Sequence, residues 1–183
     1  MTQNNFEYDN SWYYPGAGFL KRTLWYFCNH WFVHCGWNPT SCIRIFFLRL
    51  FGAKIGRNVT IHPNVNIKYP WFLEIGDNVW IGEDVWIDNL AKVQVGNNAC
   101  ISQGAMLLCG NHNFKKHSFD LIVKEINIHE GAWIGAKATV CPGVTAHTYS
   151  VLCVGSVATH DLESHGIYQG NPAIKIKERV FQS

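Results

Sequence analysis

The sequence lacks an excess of charge of either sign. Its 183 residues include 15 lysines and arginines and 13 aspartates and glutamates, for a formal net charge of +2. No long run of like charges occurs, so neither an acidic nor a basic interaction tail of that kind is predicted. This balance excludes the strongly basic surface on which nucleic-acid binding depends, and we expect no nucleic-acid partner.

Features of a membrane span or a secretory signal are also missing. The aromatic stretch from Thr23 to Ile43 carries no Asp, Glu, Lys or Arg, but it contains Asn29, Pro39 and two histidines, which disfavour a span. The N-terminal sequence MTQNNFEYDN is polar, unlike the basic and then apolar start of a secretory signal. We therefore expect a cytoplasmic protein, at the inner face of the membrane if the N-terminal region contacts lipid.

Sequence signals for covalent or thiol chemistry are weak. The 7 cysteines include no CxxC pair, and their odd number favours free, reduced thiols. No Gly-x-Ser-x-Gly elbow is present, so a serine nucleophile is not indicated. Cys109 is followed closely by histidine, but it has no evident base partner by spacing.

What the sequence does contain is a six-residue repeat that begins at residue 55. In register the units are IGRNVT, IHPNVN, IGDNVW, IGEDVW, IDNLAK, VGNNAC, ISQGAM and LLCGNH, then IHEGAW, IGAKAT, VCPGVT, AHTYSV and LCVGSV. This period fits neither an amphipathic helix nor an alternating strand, but it is typical of a parallel β-helix. The aliphatic first residue and the small fifth residue are predicted to face the core. Polar residues between them are predicted to form turns, with Gly or Asn supplying unusual dihedral angles.

Two segments lie outside the repeat. Residues 1–54 are rich in aromatic residues and predict helices over LKRTLWYFCNHWFVH and TSCIRIFFLRLFG. We expect this helical region to be followed by a β-helix over 55–165, with a catalytic loop at 110–125, and by a basic tail over 166–183. The helices are expected to cover an open end of the stack. Alternatively, their aromatic residues contact lipid or a lipid-linked substrate.

The repeats, the loop after LLCGNH, the stretch WIGAKATVCPGVT and the terminal GNPA resemble the hexapeptide-repeat acyltransferases. Through FFLRLFGAKIG, YPWFLEIGD, ISQGA and GNPAIKIKERV, the chain is similar to acetyltransferases of colanic-acid-type exopolysaccharide biosynthesis. The resemblance implies an all-β core wound as a left-handed parallel β-helix, in a homotrimer with active sites between subunits. It also implies acetyl-CoA as co-substrate, no required metal, and a sugar or lipid-linked glycan as acceptor.

The resemblance identifies His112, the last residue of LLCGNH, as the base of acetyl transfer. A neutral imidazole can take the proton of a sugar hydroxyl while the oxygen attacks a thioester. His117, in the same loop, is a candidate acceptor contact. Asp88 and Asn89, in the preceding coil, are further acceptor-site candidates. A two-residue slip of the repeat interrupts their match to related galactoside and maltose acetyltransferases.

Acetyl-CoA, by the same resemblance, lies in a groove between neighbouring coil stacks. Five residues match positions that line this groove or contact the coenzyme: Trp133, Ala136, Val154, Gly155 and Thr159. The related pattern often has Lys where this chain has His160. We expect Lys175, Lys177 and Arg179 to supply the cations that the phosphates of coenzyme A need.

Two other functions are compatible with the sequence. The same fold hosts zinc carbonic anhydrases, whose metal needs three histidines that meet between subunits. His112 and His117 would then need a third ligand from His62, His129 or His147. The other alternative is a non-catalytic trimeric scaffold whose helices bind a membrane or a partner.

Overall fold

Two helices precede the repeat region. The computed structural model describes residues 8–182, so the N-terminal residues 1–7 and Ser183 lie outside the described part of the chain. Helix α1 spans Phe19–Cys28 and is prolonged by a π-helical turn, Asn29–Val33. Helix α2 spans Ser41–Leu50. Both helices fall in the segments predicted to be helical. In residues 8–182 no helix is both long and apolar enough to cross a membrane.

From residue 54 onward, the chain winds into coils that each add one short strand to three parallel faces. The first face contains β1 (Lys54–Ile55), β4 (Leu73–Ile75), β7 (Val93–Val95), β12 (Ile126–Ile128) and β15 (Thr145–Ala146). The second contains β2 (Thr60–Ile61), β5 (Trp80–Ile81), β8 (Cys100–Ile101), β13 (Trp133–Ile134), β16 (Val151–Leu152) and β18 (Gly166–Gly170). The third contains β3 (Asn66–Ile67), β6 (Trp86–Asp88), β9 (Met106–Leu108), β14 (Thr139–Val140) and β17 (Val157–Ala158).

Two antiparallel hairpins leave this stack. Strand β10 (Gly110–His112) pairs with β11 (Leu121–Val123) between the third and fourth coils. At the C-terminal end, β18 pairs with β19 (Ala173–Glu178). A short 3₁₀ turn, Pro70–Phe72, occupies the first slip of the repeat. The predicted fold class, a parallel β-helix of six-residue repeats with N-terminal helices and a C-terminal extension, is confirmed.

The core consists of the first and fifth residues of the repeats, as predicted. Ile81 and Val85 from one repeat, and Ile134 and Ala138 from another, are all fully buried. In LLCGNH the pattern breaks, because the chain leaves the coil there: the fifth residue is exposed and the third residue is buried. The loss of the core pattern therefore marks the point at which the β10–β11 hairpin begins.

The turns depend on the second and fourth residues of each repeat for different reasons. The fourth residue adopts a left-handed conformation, with φ of 58° at Asn78 and 57° at Asn98, which confirms that Asn supplies unusual dihedral angles. The second-position glycines allow close approach between coils. A Cβ atom added at Gly82 would lie 2.7 Å from the backbone nitrogen of Gln103.

Candidate active site

His112 lies where the chain leaves the solenoid, at the end of β10. Its strand partner in β11 is Leu121. The connection between the two strands brings Phe119 over the imidazole, with the two rings stacked at a centroid distance of 4.4 Å and an interplanar angle of 4°. The ring of Tyr8 lies 5.4 Å away on a tilted plane. The imidazole is therefore held by a hairpin whose base is continuous with the rigid third face.

A main-chain carbonyl orients the imidazole. The Nδ1 atom of His112 is 2.9 Å from the carbonyl oxygen of Phe119. Because a carbonyl oxygen only accepts hydrogen bonds, Nδ1 is the donor in this contact, so the neutral form of the ring carries its proton on Nδ1 and its lone pair on Nε2. The resulting neutral tautomer is the form that a general base requires. The sequence could not reveal this orienting group, since it is part of the backbone.

His112 lines a cleft of about 740 Å³ between the hairpin, the third face and the segment before α1. Asp88, at the end of β6, lines the same cleft and forms an ion pair with Lys68, 2.9 Å between Nζ and Oδ1. Tyr13 enters from the N-terminal segment and donates a hydrogen bond to the carbonyl oxygen of Leu90 at 2.7 Å. Burial raises the pKa of Tyr13 above its ordinary value, so its hydroxyl stays protonated at neutral pH.

The other two acceptor-site candidates do not line this cleft. Asn89 is fully buried, and its amide donates to the carbonyl oxygen of Tyr69 at 2.6 Å and accepts from the N–H of Tyr69 at 2.9 Å. Both ends of this amide are thus used to hold Tyr69, which itself lines the cleft. His117 is exposed in the turn between β10 and β11.

Most residues assigned to acetyl-CoA lie at a different corner of the solenoid. Ala136, Val154 and Gly155 follow the second face on successive coils, and the N–H of Gly155 donates to the carbonyl oxygen of Ala136 at 2.9 Å. Trp133 lies beside them on β13, 46% exposed, and its Nε1 donates to Ser102 at 2.9 Å. His112 and Asp88, by contrast, follow the third face. A single chain therefore does not bring the two groups together.

The remaining coenzyme candidates are spread over the C-terminal coils. Thr159 is exposed after β17, at the same corner as Asp88 but further along the stack. Lys175 is engaged by two carboxylates, at 2.7 Å from Glu163 and 2.6 Å from Glu178, and these contacts raise its pKa. Lys177 is exposed on β19 and forms no ion pair within the described residues.

Arg179 is used internally. Its guanidinium donates to the carbonyl oxygens of Gly131 at 3.1 Å and Tyr149 at 3.3 Å. Of the three C-terminal cations predicted to contact coenzyme A, Lys177 is therefore the one whose side chain forms neither an ion pair nor a hydrogen bond to a carbonyl oxygen in the described part of the chain.

Sequence reasoning missed the contribution of the N-terminal region to the site. Tyr13 and Arg22 both line the His112 cleft, although neither belongs to a repeat. Lys68 also lines it, and it lies 20 residues before Asp88, one coil earlier in register. That spacing could have identified Lys68 from the repeat. No sequence pattern relates Tyr13 or Arg22 to residues 88–112.

Cys109 is unsuited to act as a nucleophile. Its side chain is fully buried, and burial raises the pKa of the thiol to about 11. A thiol that remains protonated at neutral pH does not attack a thioester readily. All 7 cysteines are free. Within residues 8–182, no group of three or more histidine, cysteine or acidic side chains is arranged to hold a metal.

Comparison with known proteins identifies the family. No protein-family model matches the chain. It is 37% identical over 172 residues to the "Putative colanic acid biosynthesis acetyltransferase WcaF" of Escherichia coli, covering 91% of this chain and 92% of that protein.

Among solved structures, the acetyl-CoA complex of the hexapeptide-repeat acetyltransferase VCA0836 from Vibrio cholerae has a TM-score of 0.79 at 19% identity, with 88% of each chain covered. A galactoside acetyltransferase in complex with coenzyme A has a TM-score of 0.78 at 24% identity, covering 87% of this chain and 80% of the other. The fold is thus that of these enzymes. By its sequence identity to WcaF, the chain belongs to the hexapeptide-repeat acetyltransferases.

Proposed function

We propose that the protein is an O-acetyltransferase that moves an acetyl group from acetyl-CoA to a hydroxyl of a glycan, with His112 as general base. The observation that carries this proposal is the Nδ1 contact of His112 with the Phe119 carbonyl, which in the neutral imidazole leaves the lone pair on Nε2 as the base. Acetyl-CoA and coenzyme A are bound in the two structurally similar enzymes. The name of WcaF supports a role in exopolysaccharide or surface-glycan biosynthesis.

In the proposed reaction the acceptor oxygen attacks the thioester carbonyl while Nε2 of His112 takes the hydroxyl proton. The new carbon–oxygen bond forms, the carbon–sulfur bond breaks, and His112 returns the proton to the leaving thiolate. No covalent acyl-enzyme is required, in keeping with the raised pKa of Cys109. Asp88, ion-paired with Lys68 in the same cleft, offers a carboxylate oxygen to a second hydroxyl of the acceptor.

We further propose that the active enzyme is a homotrimer. The His112 corner and the corner with Ala136, Val154 and Gly155 are different edges of one solenoid. A three-fold assembly would set one edge of each subunit against the other edge of its neighbour, so that each site would draw on two subunits. All 7 cysteines are free thiols, which favours a reducing, cytoplasmic location.

The test is the His112→Ala variant with acetyl-CoA and a panel of sugar acceptors. We expect kcat to fall by about two orders of magnitude or more, as for loss of a general base, while the KM for acetyl-CoA stays the same. His147→Ala is the matched control, because His147 lies beside His129 on another corner, outside the cleft. Its activity should equal that of the unmodified enzyme.

Unchanged turnover in His112→Ala would contradict the assignment of the base and favour a non-catalytic scaffold. Metal analysis of the purified protein tests the carbonic-anhydrase alternative. Stoichiometric zinc, together with hydration of carbon dioxide that is lost in His112→Ala, would favour that alternative over acetyl transfer.

A further inference from the structure

A second cleft continues from the His112 cleft along α1. It has a volume of about 510 Å³ and lies between α1, its π-helical turn and the third face. The two clefts share four lining residues: Arg22, Lys68, Tyr69 and Asp88. Because the shared residues form a common wall, the two clefts make one depression that runs from His112 to the N-terminal helices.

The charge at this junction is positive and only partly neutralised. Apart from histidines, the charged residues that line the two clefts are Arg22, Lys68 and Asp88. Lys68 is paired with Asp88, whereas the side chain of Arg22 forms no ion pair or hydrogen bond within residues 8–182. Its Nε atom is shielded from solvent and has no acceptor there. An unsatisfied, partly buried guanidinium is costly, and an oxyanion with several acceptor oxygens is its best complement.

The surroundings of Arg22 change from polar to apolar across α1. On the His112 side are Asp88 and Tyr13, which suit sugar hydroxyls. On the outer side, Arg22 lines a smaller pocket of about 380 Å³ with Phe19 and Phe27, whose side chains are 77% and 55% exposed. The order along the surface is thus a general base, then a cation, then exposed apolar side chains.

We infer that Arg22 forms a subsite for the diphosphate of an activated glycosyl acceptor, between the sugar at His112 and the group beyond the diphosphate. A guanidinium binds phosphate oxygens through paired, charge-assisted hydrogen bonds. A nucleoside diphosphate sugar and a polyprenyl diphosphate sugar share this chemistry. The inference rests on the proposed function, and it narrows the acceptor to diphosphate-linked glycans.

Binding of inorganic pyrophosphate tests the subsite without catalysis. The enzyme is first saturated with acetyl-CoA, so that the phosphate contacts of the coenzyme are occupied, and pyrophosphate is then titrated while tryptophan fluorescence is recorded. Trp25 and Trp86 line the second cleft and would report the binding. We expect Arg22→Gln to weaken binding about tenfold or more, and Arg22→Lys to restore part of it.

The matched control for this titration is Lys21→Gln. It removes one positive charge from the neighbouring position of α1, but Lys21 lies 4.8 Å over the ring of Trp71 and lines neither cleft. Its pyrophosphate affinity should stay within about twofold of the unmodified enzyme. No binding by the unmodified enzyme, or equal losses in Arg22→Gln and Lys21→Gln, would overturn the inference.

Acetylation kinetics distinguish the two sources of the diphosphate. A free sugar, its nucleoside diphosphate derivative and its polyprenyl diphosphate derivative are compared as acceptors. We expect Arg22→Gln to raise the KM of the preferred diphosphate acceptor about tenfold, with little change in kcat and none in the KM of the free sugar. Equal KM values for all three acceptors in the unmodified enzyme would refute the subsite.

Failure of the proposed function would give a different result. In that case the unmodified enzyme would acetylate none of the three acceptors, whereas the pyrophosphate titration would still decide whether Arg22 binds the anion.

Discussion

At the scale of single residues, the candidate chemistry depends on how His112 is held. Its imidazole stacks on the ring of Phe119, and its Nδ1 atom is hydrogen-bonded to the Phe119 carbonyl oxygen at 2.9 Å. Together these two contacts restrict rotation of the imidazole. One residue of the hairpin thus provides both the ring contact and the hydrogen bond. This arrangement orients Nε2 with neutral groups only, so the proposed base is positioned without a hydrogen bond from Nδ1 to a carboxylate.

Single glycines also decide whether the coils can stack. Gly82→Ala would place a Cβ atom 2.7 Å from the backbone nitrogen of Gln103 in the next coil, where no flexible side chain can move aside. We expect a loss of about 2 kcal/mol in the free energy of unfolding, because overpacking forces the backbone to shift. Thermal unfolding should show this as a melting temperature lower by ~5 °C.

Gly18→Ala is the control for this substitution, since a Cβ atom at Gly18 would meet no heavy atom within 4 Å. Its melting temperature should change by about 2 °C or less, because no atom is crowded and only the preference for Gly over Ala at a helix N-cap is lost. Equal effects of the two substitutions would show that crowding between coils is not the reason for glycine at the second position.

At the scale of elements, Arg44 joins the two N-terminal helices. It is a fully buried residue of α2, and its guanidinium donates to carbonyl oxygens at the end of the π-helical turn that prolongs α1 and in the following connection. These acceptors are Val33 at 3.2 Å, Cys35 at 3.1 Å, Thr40 at 2.9 Å and Asn38. A planar cation with five donors can satisfy several carbonyls that no regular helix bond reaches. The helices are thereby fixed to each other beside the second cleft.

Arg44→Met should loosen the helical region while the solenoid stays folded. The substitution keeps an apolar stem but leaves buried carbonyls without donors, and we expect a cost of about 3 kcal/mol or more. Limited proteolysis should cleave the N-terminal region much faster than it cleaves the repeats. Circular dichroism should show a lower mean residue helicity than that of the unmodified protein.

Arg49→Met serves as the comparison for Arg44→Met. Arg49 is exposed, and among the described residues its guanidinium donates only to the carbonyl oxygens of Ile55 and Gly56, which water can reach. Its loss should cost less than about 1 kcal/mol. A proteolysis pattern for Arg44→Met that matched that of Arg49→Met would argue against the joining role of Arg44.

At the scale of the whole molecule, the two sets of candidate residues lie on different edges of the solenoid. Residues assigned to the acceptor follow the third face, and Ala136, Val154 and Gly155 follow the second face. The second-face edge is open to solvent: Val154 is 72% exposed, and a Cβ atom added at Gly155 would meet no described heavy atom within 4 Å. A single site that used both sets of residues would therefore draw on a neighbouring subunit, as in the proposed trimer.

Subunit mixing tests this arrangement. His112→Ala removes the proposed base, and Val154→Trp, at a 72% exposed position, blocks the second-face edge, so each variant alone should be nearly inactive. After dissociation and reassembly of an equal mixture, sites that combine an intact His112 with a neighbour's intact edge should restore about a quarter of the original activity. Light scattering should give the mass of three chains. A monomeric mass, or a mixture as inactive as its components, would contradict a shared site.

The repeat determined most of the architecture from sequence alone. In a solenoid each residue contacts its counterpart one coil away, as in the hydrogen bond between Asn58 and Asn78, 20 residues apart. Such contacts recur at nearly constant spacing, so the pattern of buried first and fifth residues was sufficient to predict the coils. The prediction of His112 depended on family resemblance, and so did the left-handed winding, because periodicity carries no information about hand.

Tertiary structure alone decided how the N-terminal region meets the candidate site. Tyr13 reaches the carbonyl of Leu90 across 77 residues, and Arg22 enters the same cleft from α1. Neither position belongs to a repeat, so no spacing relates them to His112. The carbonyl of Phe119 was equally hidden, since every residue has one and only the hairpin aims it at Nδ1. Local periodicity therefore specified the stack of coils, whereas aperiodic contacts between distant segments shaped the cleft beside it.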